Sequence, residues 1–397
     1  MGAMGLDDLL APIAVSDFLA RHWERAPLLI QPGRPERFAD LLNLTDIEAL
    51  LGSQTFRRPD LRIVHSERKV ARGEYMFGDL VDPARLFELF RGGATIIFER
   101  LDQRWPPLRR LCRATEQALG HGAQCNVYLT GGRSHGREGE SAQGLRRHYD
   151  THDVFVLQLA GTKHWSLFDT AVELPVKAQE PVPERFAQMP VRQTFTLRPG
   201  DLLYLPRGLV HEAHATEETS LHITLGIKAT TWGDLLAEAV RLATLGDPAL
   251  RRTLPRVPPG PEPAELAPML EDALARLGAS GALAQAWRSL DASFVNDRMP
   301  LLDGQFAQLA ALPGLTQESR VAPRATAILR FERREDEIAV MHQRGELAFP
   351  LAVEAAVRFA LTAPAYRVAQ MEGGLDAAGR LVLVRRLVRE GLLVIET

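Results

Sequence analysis

The sequence predicts a mainly β core, a sandwich or barrel, carried between helical segments. Two observations predict it. From roughly residue 61 to 230, short β-rich runs are broken by Gly, Pro and Asn: "ATIIFERL", "QCNVYLT", "DVFVLQLAG", "KHWSLFD", "QTFTLRPGD", "LLYLP" and "SLHITLGI", with few long helices among them. On both sides of that block the apolar spacing returns to the helical period.

Taken in order, residues 1–60 read as helices. "VSDFLARHWE" starts at Ser16 as N-cap, and "LTDIEALLG" starts at Thr45 and stops at Gly52. The β block occupies 61–230. Residues 231–320 read as a helical segment, "WGDLLAEAVRLATLG" and "AELAPMLEDALARLGASGALAQAWRSL", split by the Pro-rich linker "LPRVPPGPEP". Residues 324–397 form a small α+β unit in which "RLVLVRRLVREGLLVIE" places a helix before a final strand. With 397 residues, 46% hydrophobic and 24% charged, the chain is long enough for two or three cores.

Charge and cysteine usage exclude several classes of function. Lys+Arg of 47 against Asp+Glu of 50 gives a net charge of -3, which supports neither bulk nucleic-acid binding nor adhesion to an anionic membrane. The two cysteines, Cys112 and Cys125, are too few for a metal-thiolate set, and a secreted disulfide framework usually uses more. No apolar run of 18 residues occurs, and the N-terminus is acidic and amphipathic, so a cytoplasmic location is expected.

The strongest local signal is "GDLLYLPRGLVH", residues 200–211. "RPGD" supplies a tight turn, "LLYLP" a buried strand ending at a proline, and Gly208 a sharp turn that aims His211 inward. This spacing resembles the second motif of the cupin superfamily, a double-stranded β-helix or jelly roll. The first cupin motif is present in altered form: His148 and Asp150 stand where two histidines are expected, Gly161 closes the motif, and Val154 occupies the glutamate position.

Two residues apart on a strand, His148 and Asp150 project to one face, roughly 6.5 to 7 Å apart. With His211 from another strand they make a 2-His-1-carboxylate set suited to non-heme Fe(II). Zinc accepts the same donors, although closed structural zinc sites usually use thiolates. A lone HxD would be a surface pair; the second motif some 60 residues later is what makes it a site. An iron oxygenase of this kind commonly takes 2-oxoglutarate, whose distal carboxylate wants a buried cation, and Lys163 at the start of "KHWSLF" is the candidate. Its strand is expected beside the one that carries His211. The histidines that flank the motifs, His152, His164 and His214, are expected to orient loops or face solvent; His222 sits on an apolar strand, as a core histidine or as a support behind a ligand.

"NVYLT", "HYDTHDVFVLQLAGTKHW" and "LPRGLVH" closely resemble the JmjC oxygenases of the ribosomal oxygenase branch, over roughly residues 15–230. The resemblance implies a cupin-like barrel at 61–230 completed by helices of 1–60, a helical dimerisation segment at 231–320 and a winged-helix-like domain at 324–397. It implies Fe(II) held by His148, Asp150 and His211, 2-oxoglutarate held by Lys163, and O2 as oxidant. Asn126 and Tyr128 would line the co-substrate and substrate pocket, with Thr224 a further member. The activity implied is hydroxylation of an Arg or His side chain of a protein, a large-subunit ribosomal protein first, by a homodimer. A precursor-peptide hydroxylase, or a metal-dependent cupin enzyme acting on a small molecule, is the alternative; Lys163 argues against the small-molecule reading.

Two features depart from the family. "GGRSHGREGESAQGLRR", residues 131–147, is longer than the loop expected before His148, and suggests a lid or a substrate-recognition insert. The tail 324–397 holds 11 Arg, no Lys and 10 Asp+Glu, a net charge of about +1, without the excess expected of a DNA-binding winged helix; it reads as a protein-interaction or structural module.

Overall fold

The structure is a computed structural model that describes residues 4–65, 68–132, 143–254, 263–343 and 345–396. The chain divides into two units, Met1–Ala229 and Thr230–Thr397, and each is described by itself. No described helix is long and apolar enough to cross a membrane.

In the first unit, helices α1 (Leu6–Leu10) and α2 (Val15–Arg21) lead into strand β1 (Leu28–Ile30), followed by α3 (Leu44–Ser53). The expected caps shift. Ala14, not Ser16, precedes α2, because the first helical bond runs from Phe18 N–H to Ala14 O (3.0 Å) and Phe18 is fully buried. Helix α3 starts from Asn43 rather than Thr45: Asn43 Oδ1 accepts from Asp46 N–H (3.0 Å) and Asp46 Oδ2 accepts from Asn43 N–H (2.9 Å), a reciprocal cap. Gly52 does not stop α3, which continues to Ser53. Nor is the segment wholly helical. The three residues of β1 are too few to show a period, but they complete the edge of a sheet by pairing with a later strand.

The remaining elements of the unit are β2 (Leu61–Val64), the minimal hairpin β3 and β4 (Met76–Phe77 and Leu80–Val81), α4 (Pro83–Arg91), β5 (Thr95–Phe98), α5 (Pro106–Leu119) and β6 (Gly122–Thr130). Then come β7 (Gln143–His148), β8 (Asp153–Ala160), β9 (Lys163–Thr170), β10 (Gln193–Leu197), β11 (Leu202–Leu205), β12 (Leu209–Ala215) and β13 (Ser220–Lys228). Two antiparallel sheets result: seven strands ordered β1-β11-β8-β13-β6-β5-β2, and four ordered β10-β9-β12-β7.

Alternation along each strand separates two environments. On β6, Cys125, Val127 and Leu129 join the large apolar core with Leu108 and Leu111 of α5, so Asn126, Tyr128 and Thr130 face the other way. Helices α4 and α5 interrupt the block read as strands; the proline start of α5 and its left-handed Gly120 stop (φ 69°) are ordinary helix punctuation. Val154, Val156, Trp165, Leu167, Leu203, Leu205 and Ala213 form a second core between the sheets. Gly208 has φ 89°, and a Cβ there would stand 1.9 Å from Val172 O, so the turn between β11 and β12 admits only glycine.

In the second unit, α6 (Trp232–Gly246), α7 (Pro263–Ala279), α8 (Ala282–Asn296) and α9 (Gln305–Ala311) precede two three-stranded sheets. The long helical run is two helices because Gly281 (φ 68°) breaks it. The strands are β14 (Arg320–Pro323), β15 (Arg330–Arg333), β16 (Glu337–His342), β17 (Gly345–Pro350), β18 (Tyr366–Arg367) and β19 (Leu393–Ile395), with helices α10 (Glu354–Thr362) and α11 (Ala377–Arg389). The expected start at 324 cuts this module: β14 lies at 320–323, pairs with both β18 and β19, and shares a core with Leu312, Leu315 and α11. Most of the Pro-rich linker, and 133–142 of the expected insert, lie outside the described residues.

Candidate metal centre

His148 ends β7 and stands opposite His211 of β12 in the ladder. Asp150 is not on that strand, as the spacing argument assumed. It lies in the turn after β7, where its carbonyl accepts from Gly208 N–H (3.0 Å), and this bond draws the segment toward the turn before β12. Ligand atoms of His148, Asp150 and His211 all lie within 4.8 Å of one another, and no other such trio of His, Cys, Asp or Glu occurs among the described residues. The two imidazole centroids are 4.5 Å apart, and Asp150 Oδ2 is 3.7 Å from His211 Nε2.

The protonation states suit a ligand set. Burial and the neighbouring His148 push His211 down to about 4, against the opposing pull of Asp150, so it is neutral near pH 7. Its Nδ1–H donates to Leu209 O (3.0 Å), which leaves Nε2 directed at Asp150. Burial raises the Asp150 carboxyl, but His148, His211, His152 and Arg62 together outweigh it and hold the group below its ordinary value.

A small cavity opens beside the trio, between the two sheets. The small sheet contributes Lys163, Trp165 and Ala213, and the large sheet Tyr128, Val154, Val156, Leu205, His222 and Thr224. Lys163 is 1% exposed, and its Nζ reaches Thr130 Oγ1 at 3.4 Å. Among the described residues no carboxylate pairs with it, and burial lowers it from 10.5 to about 7. Its strand does lie beside that of His211, but in register Lys163 faces Ala215 while His211 faces Leu167. His222 stacks on Tyr128 (4.7 Å, 9°); among the described residues its buried Nδ1 has no hydrogen-bond partner, nor has Trp165 Nε1. Burial, and then the Asp150 charge, keeps Tyr128 a phenol.

Asn126 departs from expectation. It is not in the cavity wall; its Oδ1 accepts from the backbone N–H of Arg100 (2.9 Å), whose φ of 51° turns that amide toward β6. The flanking His164 and His152 lie outside the trio: His164 Nδ1 is 3.2 Å from Thr196 Oγ1, and the His152 ring stands where a Cβ on Gly226 would meet it at 2.7 Å. Trp165 was missed, although as the second residue after Lys163 it shares that residue's face by simple alternation.

Residues 102–235 match the family model described as the JmjC domain. Over 265 residues the chain is 33% identical to ribosomal oxygenase 2 of Bos taurus, covering 63% of this chain and 54% of that protein. Over 261 residues it is 31% identical to ribosomal oxygenase 1 of Gallus gallus, covering 62% and 41% respectively. The chain thus spans about half the length of the curated relatives it matches. Among solved structures it is similar to the Escherichia coli ribosomal oxygenase YcfD, with a TM-score of 0.58 and 18% identity over all of both chains. The structure of YcfD in complex with cobalt and 2-oxoglutarate matches with a TM-score of 0.55 and 18% identity over 97% of this chain and 99% of that one. The fold is the cupin-like one of the JmjC domain. Residues 102–235 are a JmjC domain, and the chain is homologous to the ribosomal oxygenases across about three fifths of its length.

Proposed function

We propose that the chain is an Fe(II)- and 2-oxoglutarate-dependent oxygenase that hydroxylates a side chain of a protein, with a ribosomal protein as leading target. One observation carries the reading: the His148, Asp150 and His211 trio shares a cavity with Lys163, a buried cation that no carboxylate of the described residues neutralises. Two imidazoles and one carboxylate fit a divalent iron and leave coordination positions for other ligands. Bound there, Fe(II) and 2-oxoglutarate supply the oxidising power for C–H hydroxylation, O2 being consumed and 2-oxoglutarate released as succinate and CO2.

The chain's own residues bind, orient and shield. His211 offers Nε2 because Leu209 holds the proton on Nδ1, and Asp150 stays ionised. Lys163 offers its ammonium to a distal carboxylate, and the phenol of Tyr128 borders the same space. Val154, Val156, Leu205 and Trp165 exclude water from it. The cobalt and 2-oxoglutarate bound to YcfD support this assignment.

The target side chain is taken as Arg or His, and the name "histidyl-hydroxylase" borne by the 29% identical NO66 of Culex quinquefasciatus favours His. Helices α6 to α8 are assigned to homodimerisation on their exposed Trp232 (80%), Leu236, Leu270, Leu274 and Trp287 (65%). The tail is taken as a winged-helix-like interaction module. The test is succinate release from 2-oxoglutarate and Fe(II) with ribosomal-protein peptides, read beside mass spectrometry for a gain of one oxygen. Release that peptide stimulates and His148→Ala abolishes is expected. No succinate under any peptide or metal condition overturns the reading.

A further inference from the structure

Asp153 and Arg207 flank the metal-bearing turns, and neither touches the cavity. Asp153 opens β8 three residues after Asp150, and Arg207 precedes Gly208 in the turn that leads to His211. Arg207 Nη1 donates to Asp153 Oδ2 (2.8 Å) and meets Glu24 Oε1 at 2.6 Å. The other Asp153 oxygen accepts from the Tyr204 hydroxyl (2.7 Å), which in turn accepts from Glu24 N–H (2.9 Å). Asp153 and Tyr204 are fully buried and Arg207 is 9% exposed. Glu24 reaches them from beyond α2 through a left-handed backbone, φ 57°.

Resting on the function proposed above, we infer that Arg207 is a positioning residue for the metal centre, clasping the Asp150 turn to the His211 turn with Asp153 and Glu24 as its anchors. Two fastenings act at one point. Gly208 N–H to Asp150 O ties the backbones, and the Arg207 to Asp153 bridge ties the side chains one residue to the N-terminal side of Gly208. A Cβ at Gly208 would stand 1.9 Å from Val172 O, so the turn that leads to His211 is also packed closely against the Val172 backbone. The planar guanidinium bridges two carboxylates at fixed angles, which a lysine ammonium on a flexible stem does not. Groups that orient metal ligands from behind typically contribute about 10- to 100-fold in metal affinity. The clasp also gives the first thirty residues a role in a site whose ligands begin at His148.

The test uses the full chain with Co(II) as probe, its affinity read from the visible absorption of the bound ion and its melting temperature measured alongside. Arg207→Lys is expected to weaken Co(II) binding roughly 10- to 100-fold. Glu24→Gln is expected to shift it several-fold in the same direction, because Glu24 is 31% exposed and its loss is better tolerated. Leu50→Ala in α3, 2% exposed and remote from both turns in sequence, is expected to lower the melting temperature without changing Co(II) affinity. The inference is overturned if Arg207→Lys and Glu24→Gln fold, melt lower as Leu50→Ala does, and keep wild-type affinity within about twofold. Wild-type protein that binds no Co(II) overturns the proposed function as well, which separates the two failures.

Discussion

Lys163 gives the cavity a measurable electrostatic signature. An ammonium held at about 7 rather than 10.5 corresponds to about 5 kcal/mol of disfavoured charge, at about 1.36 kcal/mol per pH unit. The sign follows from proton counting. Between those two pH values the unfolded chain holds the proton and the folded chain does not, so stability of the metal-free protein rises with pH across that window. Below pH 7 both states are charged and the full cost is present. From pH 6.5 to 9 Lys163 alone accounts for a rise of roughly 2 to 3 kcal/mol. Lys163→Met removes that increment, so the difference between wild-type and variant stability in urea should narrow by this amount as pH rises. A dicarboxylate that pairs with the ammonium reverses the effect. On the role proposed for Lys163, 2-oxoglutarate binding to Co(II)-loaded protein takes up a proton at pH 8.5, and affinity falls as pH rises from 7.5 to 8.5. Calorimetry in two buffers of different ionisation enthalpy reads the proton directly. No proton uptake, together with a pH slope that Lys163→Met leaves unaltered, would refute the reasoning.

Three further outcomes follow from the geometry. Asp150→Ala leaves two imidazoles without the carboxylate and should weaken Co(II) binding at least about tenfold, as an absorption titration would show. Gly208→Ala puts a Cβ onto Val172 O at φ 89° and should cost about 2 to 4 kcal/mol in denaturant unfolding; a loss below about 1 kcal/mol would mean the turn is not wedged. If α6 to α8 form a dimer face, Trp287→Glu, at a position 65% exposed, should halve the mass measured by light scattering while leaving Co(II) affinity within about twofold.

Much of the site was legible because its parts are local. The LPRGLVH turn needs a proline to end β11 and a glycine that no other residue can replace, and both are visible in seven letters. Spacing singles out the stretches that hold His148, Asp150, His211 and Lys163, although Asp150 sits in the turn after β7 and not on the strand; Asn126 is different, its alternation with Tyr128 being right while a left-handed Arg100 a strand away takes its side chain. Such capture depends on a contact 26 residues off, which spacing cannot show. The same limit hid Glu24, whose partner Arg207 lies far along the chain. Element ends failed for a different reason. Thr45 and Gly52 are plausible punctuation, but Asn43 with Asp46 forms the reciprocal cap, and a single glycine near a helix end is tolerated when the packed residues Ile47, Leu50 and Leu51 keep their face. Strand β14 falls almost wholly between the helical segment expected to end at 320 and the unit expected to start at 324, because four residues carry almost no period; only its pairing with β18 and β19 gives it away.

The register of the small sheet has a consequence for molecular length. His148 and His211 face each other at one point of the β7, β12 and β9 ladder, and Lys163 faces Ala215 at another, four residues farther along β12. At about 3.3 Å per residue this is a backbone span of roughly 13 Å, shortened by the inward reach of the imidazole and the lysine stem. The two imidazoles and the ammonium thus ride on a single hydrogen-bonded lattice, so motion of one sheet against the other leaves their separation fixed, while Asp150 joins them from the turn after β7. On the role proposed for Lys163 the sheet would act as a ruler for a diacid laid along it, its graduations peptide bonds: lengthening the accepted molecule by one carbon asks for a change of rotamer, while moving either end by one residue would turn its side chain out of the cavity altogether.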